Sequence, residues 1–119
     1  MSLDIETFNA AWLGAWSRKD VPALLGFYAP DCVYKDNNTA AGITGHAQLG
    51  PYLEGLFAAT PKMIYTPDET WPIPGGFCGR WYCAIGEAGK DGAMRGFDLC
   101  LVSNGKITIN EVYIHMLPG

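Results

Sequence analysis

The chain has 119 residues, of which 49% are hydrophobic and 17% charged, with 8 Lys+Arg against 12 Asp+Glu. That length predicts one domain over residues 1–119 with a single core, and the apolar share excludes a disordered chain. A net charge of −4 without a basic stripe excludes a nucleic-acid binder, and no apolar run reaches the roughly 18–20 residues of a bilayer span.

In chain order, the start carries Asp4 and Glu6 where a signal peptide needs a basic and then an apolar stretch. A cytoplasmic location is the expectation. Ile5, Phe8, Trp12, Ala15 and Trp16 fall on one helical face, with Asp4 as the N-cap. Asp20 caps a second, short helix with Pro22 in its first turn, and Leu24, Leu25 and Phe27 point inward. Ala29-Pro30-Asp31 is expected to end it, because the residue before a proline avoids the helical region. Cys32–Asp36 reads as a short strand with Tyr34 and Asp36 on one face. Asn37–Gly45 reads as a loop. A third helix is expected over 46–59, with Leu49, Leu53, Leu56 and Phe57 as its apolar stripe and Pro51 kinking it or delaying its start.

Strands follow. Residues 63–71 form one, placed at an edge or bulged by Pro67. A Pro-Gly turn leads to a strand over 77–85, a second turn to one over 94–102, and the Asn104-Gly105 hairpin signal to a last strand over 106–117. Helices first and a meander of strands after predict an α+β fold with an antiparallel sheet.

Four cysteines, Cys32, Cys78, Cys83 and Cys100, lack any Cys-x-x-Cys pair. Without a secretion signal, free buried thiols are expected, with Cys78 and Cys83 on opposite strand faces. His46 and His115 have no ligand partners at metal-site spacing, so neither a metal nor another cofactor is expected. There is no phosphate loop and no nucleophile elbow.

The strand around Asp98 holds the chemistry. Alternation puts Phe97, Leu99 and Leu101 on one face and Gly96, Asp98, Cys100 and Val102 on the other. A mid-strand carboxyl in apolar company must be paired, hydrogen-bonded or protonated. Two readings stand open: an ion pair with Arg80 or Arg95, or an acid/base with a raised pKa. Asp36 has two readings as well, an Asx turn beside Asn37 or a second functional carboxyl. Trp12, Trp16, Tyr34 and Trp81 read as core or as the wall of an aromatic pocket.

Four segments are similar in order and spacing to the nuclear-transport-factor-2-like superfamily, in its ketosteroid-isomerase-like and SnoaL-like polyketide-cyclase branches. They are Ala-Trp-Ser-Arg-Lys-Asp-Val-Pro-Ala-Leu at 15–24, Phe-Tyr-Ala-Pro-Asp-Cys-Val-Tyr-Lys-Asp at 27–36, Gly-Ile-Thr-Gly-His-Ala-Gln-Leu at 42–49, and Arg-Gly-Phe-Asp-Leu-Cys-Leu-Val-Ser-Asn-Gly-Lys-Ile at 95–107. The resemblance implies a cone, in which a curved antiparallel sheet wraps N-terminal helices around an internal pocket. It implies a homodimer joined through the outer sheet face, where Phe97, Leu99 and Leu101 would lie. It places an isomerase-type general base at Asp36, and an oxyanion-donor or cyclase-type catalytic carboxyl at Asp98. Trp12, Trp16, Tyr34, Trp81 and Asn110 would line the pocket. The isomerases' oxyanion tyrosine on the first helix is here Trp12, whose indole N–H donates but does not titrate. The limonene-epoxide-hydrolase pattern is absent, since Arg95 and Asp98 are three apart and Val112 takes the last-strand position. The implied activity is proton transfer next to a carbonyl in an apolar pocket, as isomerisation or ring closure, with a non-catalytic dimeric module for a hydrophobic ligand as the alternative.

Overall fold

A computed structural model describes residues 3–118. The first helix, α1 (Ile5–Arg18), starts where Asp4 accepts from the Thr7 backbone N–H at 3.1 Å. It ends at Lys19, held in the left-handed region at φ 55°. A non-glycine residue there costs roughly 1–2 kcal/mol. The Lys19 side chain offsets that cost, because Nζ donates to Phe57 O, Thr60 O, Thr60 Oγ1 and Pro61 O at 2.7–3.2 Å. One cation thus closes the C-terminal end of a neighbouring helix.

The second helix, α2 (Val21–Leu25), is capped by Asp20 and begins with Pro22 in its first turn, as the sequence predicts. It stops four residues earlier than Pro30 suggests. Of its inward set, Leu24 is fully buried, while Leu25 and Phe27 are half-buried. After a turn at Gly26 and Phe27 the chain is already strand: β1 spans Tyr28–Lys35 and carries Pro30. Its pairing shifts register between Tyr28 and Val33, so the proline sits where a ladder bond is not needed. The loop reading of 37–45 misses a two-residue strand, β2 (Ile43–Thr44), paired with Val33 and Tyr34.

Helix α3 (Gly45–Ala59) runs through the exposed Pro51. Four longer strands follow: β3 (Met63–Ile73), β4 (Gly76–Ile85), β5 (Gly92–Ser103) and β6 (Lys106–Met116). Pro67 lies on the edge strand β3, beside a register shift between Pro67 and Glu69, as expected. Asn104 and Gly105 both take positive φ, 53° and 75°, as the two-residue β5–β6 turn requires.

The six strands form one curved, unclosed sheet in the order β2-β1-β6-β5-β4-β3. It is antiparallel except for one pair. β1 runs parallel to β6, which corrects the fully antiparallel expectation. That pairing is long-range and leaves no trace in the alternation of either strand. The helices pack on the inner face, with Trp12, Leu13, Leu24, Leu49, Leu53, Phe77 and Ile107 fully buried. Cys32, Cys83 and Cys100 are buried and Cys78 half-buried, all as free thiols. Among the described residues no helix is long and apolar enough to cross a membrane.

Candidate active site in the sheet cavity

Strand alternation decides what faces inward. On β5, Met94, Gly96, Asp98 and Cys100 are buried, while Phe97 is exposed. On β4, Phe77, Gly79, Trp81, Cys83 and Ile85 are buried. Between this face and the helices lies a cavity of about 170 Å³. Trp12, Leu13 and Trp16 of α1 and Leu56 and Phe57 of α3 form one side. Tyr65, Trp81, Met94, Val112 and Ile114 of the sheet form the other. Tyr34, Asp36, Asn37 and Asn38 stand at the end of β1, and Asp98 lies in the sheet wall.

Asp98 owes its surroundings to two glycines. Gly79 faces it across the β4–β5 ladder and Gly96 precedes it on the same face. The Trp81 indole covers Gly96 so closely that a Cβ there would stand 2.0 Å from Trp81 Cζ2. Lying so, Trp81 brings its Nε1 to Asp98 Oδ2 and donates a hydrogen bond at 3.0 Å. The other oxygen, Oδ1, is buried without a partner. Arg80 pairs instead with Asp68 and Glu69, and Arg95 donates to His115, so neither guanidinium balances the carboxyl. The ion-pair reading of Asp98 is therefore set aside. Burial pushes its pKa up to about 7, although the Trp81 donor and the nearby Asn110 amide pull it back. A carboxyl with that value changes protonation state near neutrality.

Asp36 is held in the opposite way. Oδ2 accepts from Tyr34 Oη at 2.9 Å and from Tyr52 Oη at 2.5 Å. Oδ1 accepts from the Asn38 backbone N–H at 2.8 Å and from Thr39 Oγ1 at 3.1 Å. The Asn38 bond closes the Asx turn that the sequence suggests, and Asp36 also lines the cavity. A carboxylate has about four acceptor sites, and four protein donors occupy them here. Burial raises the Tyr52 hydroxyl to about 12, and its bond to Asp36 adds to the shift, so Tyr52 remains a donor across the physiological range.

A sequence profile of the SnoaL-like domain matches residues 9–110. The chain belongs to the SnoaL-like domain family. No curated protein matches it in sequence. Solved structures match its shape. One is a hypothetical protein with a ketosteroid-isomerase-like fold from Catenulispora acidiphila in complex with trimethylamine, at 20% identity and TM-score 0.73, covering 89% of this chain and 83% of the other. TerC, co-crystallised with polyporic acid, shares 15% identity at TM-score 0.75, with 90% and 88% covered. An NTF2-like protein of unknown function from Cytophaga hutchinsonii shares 13% at TM-score 0.67, with 99% and 94% covered. At such identities the likeness is one of fold, and the fold is the nuclear-transport-factor-2-like cone.

Within this SnoaL-like cone, the cavity gathers Trp12, Trp16, Tyr34, Trp81, Asp36 and Asp98. Asn110 does not line it, which corrects its placement among the pocket residues. It is fully buried on β6, where Oδ1 accepts from Tyr28 Oη at 2.8 Å and Nδ2 donates to Leu99 O at 3.3 Å. Trp12 presents its ring to the cavity but spends its N–H on Tyr28 Oη at 3.3 Å. Sequence reasoning misses Tyr65, Phe57 and Met94 as lining residues and Tyr52 as a partner of Asp36. Tyr52 projects from α3 sixteen residues away, and only the packing of α3 on β1 brings it there. The stripe assigned to α3 left Tyr52 out. Among the described residues, no three His, Cys, Asp or Glu side chains gather as a metal site requires.

Proposed function

We propose that this SnoaL-like domain is a small-molecule enzyme of isomerase or cyclase type, which moves a proton next to a carbonyl and uses Asp98 as its acid/base. One observation carries the reading. Asp98 is buried in an apolar cavity with one oxygen fixed by Trp81 and the other unpartnered. Such a group is oriented, close to half-ionised at neutral pH, and free to meet a ligand atom.

The step balances with this one carboxyl. Ionised Asp98 takes a proton from the carbon beside a carbonyl, and the C–H electron pair passes into an enolate. In ring closure, the enolate carbon attacks a second carbonyl of the same molecule, forming a C–C bond, and the new alkoxide takes the proton back from Asp98. In isomerisation the proton returns to a different carbon. Water exclusion by Trp16, Phe57, Tyr65 and Trp81 strengthens each electrostatic contact during the step. Asp36, with its acceptor sites filled, serves as a positioning residue that fixes Tyr34 and Tyr52. This favours the single-carboxyl chemistry of the cyclase-like branch over a two-carboxyl isomerase. That TerC was crystallised with polyporic acid supports the reading that such cones take organic ring compounds.

The functional unit in this reading is a homodimer joined through the outer sheet face. Tyr82, Phe97 and Tyr113 are 38%, 40% and 59% exposed there. A monomer by light scattering at micromolar concentration would remove the dimer from the proposal.

The activity is tested by following deuterium uptake beside the carbonyl of small cyclic ketones in heavy water. The wild type should exceed buffer, and Asp98→Asn should lose about 100-fold or more of that excess. Unchanged exchange in a folded Asp98→Asn protein would leave the non-catalytic binding module as the better reading.

A further inference from the structure

We infer that the cavity takes a neutral carbonyl compound of one or two rings, oriented with its reactive end at Asp98 Oδ1, and that it excludes both four-ring and anionic ligands. This rests on the proposed role of Asp98 and adds the size and charge of what Asp98 meets.

Size comes from the cavity itself. Its volume is about 170 Å³. An apolar cavity of about 150 Å³ holds a benzene molecule, while sites for drug-sized ligands run to about 300–1,000 Å³. The walls cannot readily yield. Trp16 packs on Tyr34 at 6.3 Å and on Phe57 at 5.5 Å between ring centroids, and Tyr65 packs on Trp81 at 4.9 Å. These contacts tie α1, α3 and the sheet to one another, so widening the cavity for two more rings would break several of them at once.

Charge comes from the polar groups. Of the described residues that line the cavity, Lys19 alone is basic. Its Nζ is spent on four acceptors at the end of α3, as described above. The remaining ionisable carboxyls, Asp36 and Asp98, are acidic. A carboxylate or phosphate ligand would leave water for low-dielectric space beside the Asp36 carboxyl, where the N–H groups of Lys19, the one cation, are already held by four neutral acceptors and where Asp98 would have to stay protonated, which is unfavourable. A neutral ketone or its enol meets no such penalty. Its oxygen accepts from Asp98 when that group is protonated, and its acidic C–H faces Asp98 when that group is ionised. At the end of β1, Asn37 and Asn38 are exposed and line the same cavity, so a polar substituent at the far end of the ring system has amide partners there.

Four probes of controlled size and charge test the inference by isothermal titration calorimetry and tryptophan quenching. They are 2-tetralone, 2-naphthol, 2-naphthoate and the four-ring ketone progesterone. Near pH 6, the first two should bind. The same-sized anion should bind at least about tenfold more weakly, and progesterone should give no saturable signal. Asp98→Ala should weaken 2-naphthol by about tenfold, and Asp98→Asn should weaken it less because it keeps a hydrogen-bonding group. Progesterone or 2-naphthoate binding as tightly as 2-naphthol would overturn the inference, as would absence of binding by both two-ring neutral probes. Binding and proton exchange are separate readouts. Two-ring binding without exchange leaves this inference standing and removes the enzyme proposal. Exchange on the four-ring ketone that Asp98→Asn abolishes does the reverse.

Discussion

Asp36 and Asp98 reach one cavity from strands separated only by β6, yet the fold surrounds them differently. Asp36 stands at a strand end, where a turn supplies Asn38 and Thr39 and two tyrosines close in from β1 and α3. Asp98 stands mid-strand between glycines and aromatic rings, with a single indole donor. Position in the strand explains the contrast. A strand end has free backbone N–H groups to offer a carboxylate, whereas a mid-strand ladder has already used its own. The lesson is that nearness to a cavity does not make a carboxyl reactive. An unfilled acceptor site and a protonation equilibrium near neutrality do.

The largest expected effect that sharpens this contrast is on stability. The Asp98 pKa rises from 3.8 unfolded to about 7 folded, so between these values the native state holds a proton that the unfolded chain has released. Stability should therefore fall by on the order of 4 kcal/mol as pH rises from about 4 to about 7, and level off above that. Chemical denaturation across that range checks it. Asp98→Asn should flatten the profile and be the more stable protein at about pH 8. A wild-type profile that runs parallel to that of Asp98→Asn from about pH 4 to 7 would mean that Asp98 holds no extra proton in the folded state.

Next in size is catalysis. Loss of about 100-fold in exchange for Asp98→Asn corresponds to about 2.7 kcal/mol of transition-state stabilisation. Asp36→Asn should change the rate less, since it still accepts through one oxygen and mainly disturbs Tyr34 and Tyr52. Equal losses in both variants would return Asp36 to the status of a second acid/base.

Gly96→Ala should destabilise the protein by about 1–3 kcal/mol, because the new methyl overlaps the Trp81 ring. It should also raise the Asp98 pKa by displacing the indole donor. Trp81→Phe should raise it too, without the overlap, moving the ascending limb of the pH–rate profile upward. The smallest effect belongs to Tyr52→Phe, about 1–2 kcal/mol in thermal or urea unfolding, for one hydrogen bond to a charged group at a half-buried site.

Much of this was legible in the chain. Asp4, Asp20 and Asn104-Gly105 announce local structure through local chemistry, and the β5 alternation places Asp98 inside and Phe97 outside. The resemblance to the superfamily supplies the cone. What was not legible depends on distant partners. The parallel β1–β6 pairing joins segments more than seventy residues apart and explains why Pro30 interrupts nothing. The exclusion of Asn110 from the cavity depends on the Tyr28 hydroxyl. The choice between an ion pair and a lone carboxyl at Asp98 turns on Arg80 and Arg95, which lie on the outer sheet face with Phe97 and meet Asp68, Glu69 and His115 there. The β5 alternation already puts Arg95 on that face, whereas the facing of Arg80 depends on the β4–β5 register, which no spacing encodes.

The central claim is that Asp98 is an unpaired acid/base poised near neutrality. Carbon NMR titration of its side-chain carboxyl, assigned by comparison with Asp98→Asn, tests this most directly. The account predicts a midpoint of about 7. A midpoint at or below the ordinary aspartate value of about 3.9 would show a paired or solvated carboxylate and contradict it.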